Sequence, residues 1–147
     1  MARKAKWGFQ GCFAARWNSS YEPLVLIRTY EYVSKAGVRF TVPAGFLTDL
    51  ASIPRPCRSF APSVVHSARS AVLHDYLYAT HLVSRREADE LFFEALEAVG
   101  VSVWDCWKMW MAVRVFGRCA YGKEARIAVH QARAAESADS GCPDLAG

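Results

Sequence analysis

The side chains with chemistry to offer fall in three places along the chain: Asp49 and Ser52 in a polar stretch, His74, Asp75 and Tyr78 in an apolar one, and Asp89 shortly afterwards. An imidazole among carboxylates is a donor set for one divalent metal ion that keeps a position open for water. Asp49, His74 and Asp75 are the candidate ligands, with a remaining carboxylate as general base. Neighbouring His74 and Asp75 would project about 100° apart on a helix, so both reach one ion only if it lies at the seam between their faces. Ser52, His74 and an aspartate also have the residue types of a hydrolase triad, but no G-x-S-x-G elbow surrounds the serine. The same residues have a purely structural reading. Asp49 and Ser52 would cap a tight loop, His74 would donate to Asp49 or Asp89, and Tyr78 would bond a backbone carbonyl, tying strands to helices.

The element that must position this set is the run Ser70-Ala-Val-Leu-His-Asp-Tyr-Leu-Tyr78, apolar on nearly every side at helical spacing except for its ionisable groups. A helix apolar all round is a buried helix, and buried His and Asp require partners from elsewhere. Before it, residues 7–13, 24–33 and 38–42 are rich in β-branched and aromatic residues and read as strands, with Lys35-Ala-Gly37 turning 24–42 into a hairpin. The loop at 48–55 is closed by Pro54 and Pro56. After it come three helices: 63–81, then 84–99 with Ser84 and Glu87 in capping-box position and Gly100 as its stop, then 102–116, stopped by Gly117. The third is expected to turn Val103, Trp107, Trp110, Met111 and Val115 inward, leaving Trp104 on the surface as a contact residue. The fold class is therefore α+β: a small antiparallel sheet in the N-terminal half packed by about three helices in the C-terminal half. Residues 1–122 form one domain, and 123–147 a polar, partly helical to disordered tail.

Composition bounds the function. With 147 residues, 52% hydrophobic and 13% aromatic, the chain can bury a real core. A net charge of +4 is mild and unclustered, which gives no phosphate-tracking surface and hence no nucleic-acid partner. Five cysteines without a C-x-x-C pair form neither a disulfide framework nor a zinc knuckle. No run reaches the roughly 18 apolar residues of a membrane span, and the N-terminus has no signal-peptide core, so a cytoplasmic location is expected.

Four ordered blocks, Val42-Pro-Ala-Gly-Phe-Leu-Thr-Asp-Leu-Ala-Ser-Ile-Pro-Arg55, Ala71-Val-Leu-His-Asp-Tyr-Leu-Tyr78, Arg86-Glu-Ala-Asp89 with Phe92, and Met111-Ala-Val-Arg-Val-Phe-Gly117, resemble the phage and prophage family known as domain of unknown function 1353, over about residues 37–117. The resemblance implies a bacteriophage or prophage origin, commonly among tail and lysis genes, and no activity. Two functions from different classes follow. One is a metal-assisted hydrolase of cell wall or another host polymer, made in the host cytoplasm. The other is a non-enzymatic tail-associated or accessory protein, carried on the virion, whose polar cluster is a core network. Its partner would be a phage structural or host envelope protein, or a second copy of the chain.

Overall fold

The computed structural model describes residues 7–17, 24–48, 64–117 and 121. Its N-terminal half is a set of short antiparallel strands: β1 (Gly8–Gln10), β2 (Ala15–Trp17), β3 (Leu24–Leu26), β4 (Tyr30–Val33), β5 (Arg39–Val42) and β6 (Leu47–Thr48). They form two three-stranded sheets, ordered β1-β4-β5 and β2-β3-β6. The expected hairpin is real only in its second part. Tyr30 pairs with Val42 and Val33 with Arg39 around a turn in which Gly37 has φ of 84°, a conformation that favours glycine. The stretch 24–42 is not one hairpin, because β3 pairs with β2 and β6 in the other sheet. The exposed triplet Ile27-Arg28-Thr29 breaks the alternation and lets the chain change sheets, with the Thr29 hydroxyl accepting from the Ala44 N–H at 3.0 Å.

The C-terminal half folds as expected into three helices: α1 (Val64–Thr80), α2 (Arg85–Ala98) and α3 (residues 103–117). Helix α1 is the central, buried one. Ser67, Ser70, Ala71, Val72, Leu73, His74, Asp75, Leu77 and Tyr78 are all out of solvent. Helix α2 starts with the expected capping box, Ser84 and Glu87 each satisfying the other's backbone N–H. It ends where Gly100, at φ 81°, lets the Val101 N–H reach back to the Leu96 carbonyl at 3.1 Å.

Helix α3 corrects the expected packing. Its inward residues are Cys106, Met109, Ala112 and Val113, while Val103, Trp107, Met111 and Val115 face out beside Trp104, and Trp110 is half-buried. The helix is apolar on several sides, so periodicity alone does not choose between them. The smaller side chains win the inward face because α3 must approach α1 closely: a Cβ placed on Gly117 would lie 2.8 Å from the Tyr78 hydroxyl.

Tyrosine hydroxyls tie the sheet to the helices. Tyr30, buried on β4, donates to the Arg69 carbonyl of α1 at 3.0 Å, and Tyr32 donates to the Glu94 carboxylate of α2 at 2.7 Å. Burial pushes both phenols well above their ordinary pKa, the Glu94 carboxylate adding to the shift at Tyr32, so both remain donors at any physiological pH.

Candidate functional site

The site is built around one carboxylate. Asp89, in the second turn of α2, is completely enclosed, at 0% exposure. One of its oxygens accepts from His74 Nε2 at 3.0 Å and from the Tyr78 hydroxyl at 2.5 Å; the other accepts from the Arg114 guanidinium at 3.3 Å. Arg85 Nε stands 4.0 Å from that second oxygen. Positions 74 and 78 are one turn apart on α1, so both side chains leave the same face and meet the same acceptor. Arg85 also donates to the carbonyls of Val113 at 3.3 Å and Arg114 at 2.6 Å, placing a cation at the C-terminal turn of α3. One carboxylate thus joins all three helices.

The electrostatics follow from this geometry. Burial opposes the charged form of Asp89, but the hydrogen bonds from His74 and Tyr78 and the bond from the Arg114 guanidinium outweigh it and hold the carboxyl below its usual range. Asp89 is therefore an anion that only accepts, and His74 must carry its proton on Nε2. Burial, stronger than the pull of Asp89, lowers the imidazole's pKa, so His74 is neutral. Burial and the Asp89 bond together keep the Tyr78 phenol protonated. Among the described residues, His74 Nδ1 is left as a bare acceptor, enclosed and without a hydrogen-bond partner, and the enclosed Ser70 hydroxyl one turn earlier has none either.

Asp75 belongs to a different contact. It is buried, and its carboxylate accepts a short hydrogen bond from the Thr48 hydroxyl at the end of β6, joining α1 to the second sheet. Of the six expected site residues, the structure brings together His74, Tyr78 and Asp89 and places Asp75 on another side of α1; Asp49 and Ser52 lie outside the described residues. Tyr78 bonds a carboxylate rather than the expected backbone carbonyl, because Asp89 sits within its reach. Among the described residues no three His, Cys, Asp or Glu side chains are grouped as a metal set. The reading of the sequence missed Arg114 and Arg85. Both stand at helical spacing beside residues it did single out, and a buried aspartate calling for a cation was the signal available.

The sequence model of DUF1353, described as a protein of unknown function, matches residues 24–113, more than half of the chain. The chain belongs to the DUF1353 family. The match begins earlier than the four blocks suggested, taking in β3 and the β4–β5 hairpin, and so covers the network from its sheet supports to Val113. No curated protein and no solved structure matches the chain. Among the described residues no helix is long and apolar enough to cross a membrane.

Proposed function

We propose that this protein works by docking rather than by chemistry, as a non-enzymatic phage or prophage accessory or tail-associated protein whose His74–Asp89–Tyr78 cluster is a core lock. The observation that carries this reading is the outer face of α3. Val103, Trp104, Trp107, Met111 and Val115 lie along one side of the helix and are all exposed, Trp104 at 80%. A contiguous apolar surface of this kind on a small protein marks a contact site, and tryptophan and methionine are the residues interfaces favour. The cluster's donors, by contrast, are spent on one another: His74 at 1% exposure and Asp89 at 0% are held inside three helices. The test is to replace Trp104 by Glu and follow both folding and association. A docking face predicts an unchanged melting temperature and lost association, whereas unfolding of the variant would mean that the face is internal.

One observation favours the metal-assisted hydrolase reading, with a cell-wall or other host polymer as substrate. His74 Nδ1 is an imidazole nitrogen with a lone pair and no hydrogen-bond partner among the described residues, the kind of atom a divalent ion takes. In that reading His74 and Asp49 are the ligands, Asp75 being turned away to Thr48, and the metal content of the purified chain decides it.

A further inference from the structure

Beside the exposed side of α3 runs a groove of about 500 Å³ between that helix and α2. Its floor is aromatic: Phe93 comes from α2, Trp107 and Trp110 from α3, with the two indoles edge to face at 5.5 Å. Its rim is acidic. Glu90, Glu94 and Glu97 stand at helical spacing along one side of α2, three carboxylates against the ammonium of Lys35. Arg86 reaches Glu90 at 2.9 Å from outside the groove, but both side chains are exposed and such a pair contributes little. The excess of negative charge is local, because the whole chain carries +4.

An indole face next to a carboxylate suits a cation on an apolar stem. The protein's own cations already use that pairing. Lys35 Nζ is held between the Glu97 carboxylate at 2.6 Å and the Trp7 ring at 4.9 Å, and the Arg114 guanidinium bonds Asp89 at 3.3 Å while lying 5.7 Å from the Trp110 ring. Trp107 with Glu90 offers the same combination open to solvent. Trp107 also belongs to the exposed stripe: round the helix it stands about 40° from Met111 and about 60° from Trp104 on one side, and about 60° from Trp110 on the groove side. The groove is thus continuous with the docking face, and a segment lying along the stripe reaches into it.

We infer that the partner is a protein segment that lays apolar side chains on the α3 stripe and inserts a lysine or arginine into the groove, its cationic head against the Trp107 ring and the Glu90 carboxylate. This rests on the docking reading. The probes are an amphipathic Leu/Lys peptide and its Leu/Glu counterpart, titrated against the full chain by calorimetry, with folding followed by circular dichroism. The overall positive charge of the chain favours the acidic peptide, so a preference for the basic one has to come from the groove. The wild-type chain should bind the Leu/Lys peptide the more tightly, and added salt should weaken that binding. Glu90→Lys reverses a rim charge, and Trp107→Leu keeps an apolar body but removes the ring; each should weaken the Leu/Lys peptide about tenfold. Trp104→Ser, on the stripe, should weaken it through lost apolar contact. Equal binding of the two peptides, tighter binding of Leu/Glu, or no binding of either overturns the cationic partner; where a peptide binds without that preference and Trp104→Ser still weakens it, the docking face stands. Loss in the groove variants with none in Trp104→Ser overturns the docking reading itself, and the inference with it. If the Leu/Lys peptide binds only once Arg3, Lys4 and Lys6 are changed to Gln, the chain's own basic residues fill the groove and a partner protein is overturned as its occupant. Should one groove variant fail to fold, the other decides: undiminished binding in a folded variant overturns the insertion.

Discussion

Gly117 and Tyr78 touch through the hydroxyl that donates to Asp89, and there is no room between them for a methyl group. A Cβ on Gly117 would stand 2.8 Å from that oxygen and 3.5 Å from the ring. Gly117→Ala must therefore push α3 away or turn the phenol off the carboxylate. The expected cost is about 1–3 kcal/mol, the usual range for overpacking a tight contact. Denaturant titration measures it, and the cost should shrink in a Tyr78→Phe background, where the blocking atom is gone. Equal costs in both backgrounds would show that the clash is not what matters.

The lock itself predicts a loss of stability when any of its members is replaced. Asp89→Asn leaves two donors and two guanidinium groups facing a neutral amide, and should cost about 2–4 kcal/mol. His74→Gln, which keeps a donor of similar reach, should cost about 1–3 kcal/mol. If His74→Gln and Asp89→Asn instead leave the melting temperature unchanged, the cluster is not a structural one.

Acid should open the fold in two stages. His74 has its folded pKa lowered from 6.5, so the unfolded chain takes up its proton first; stability is full above about 6.5 and falls as pH drops from there toward the folded value. Asp89 has its folded pKa lowered from 3.8, so its contribution is present above that value and is lost as pH falls below it through the folded pKa. Both act in the same direction. A plot of unfolding free energy against pH should decline in two steps, and His74→Gln should erase the upper one. A profile flat between pH 7 and 4 would contradict the neutral, enclosed imidazole.

For the hydrolase reading, protein purified without chelator should carry close to one divalent ion per chain and lose it on His74→Ala. Metal-free protein whose melting temperature ignores added zinc, manganese and calcium would remove that reading. The docking face and the lock are indifferent to the result.

How far these features could be read in the sequence depended on what set each one. The helices of the second half are written locally, in the Ser84/Glu87 capping box, the Gly100 stop and the all-round apolar character of α1, and they appear where expected. Sheet membership is non-local. Nothing between Leu24 and Val42 says that β3 must pair with Ala15–Trp17 and Leu47–Thr48, since that follows from contacts made elsewhere in the chain. The orientation of α3 was hidden for a related reason: with tryptophans on several sides, hydrophobic spacing pointed to Val103, Trp107, Trp110, Met111 and Val115 as the inward face, whereas the inner side is the one that brings Gly117 against Tyr78 and Arg114 to Asp89. Within the site, residue types identified His74, Tyr78 and Asp89, but not that Asp75 would turn away to Thr48.

Cys106 turns α3 into its own timekeeper. Its thiol is enclosed on the inner side of the helix, donates weakly to the Val101 carbonyl at 3.5 Å, and is pushed by burial, with the negative charges of Glu97 and Asp105 adding to it, up to about 11. A thiol so protonated and so covered reacts with disulfide reagents only after the helix lifts, whereas the exposed Cys12 is modified at once. The slow part of a labelling time course on Cys106 therefore reads the frequency with which α3 leaves the body of the protein, under native conditions and without denaturant. Whatever covers the outer face of that helix, or loosens the carboxylate beneath it, will change that rate.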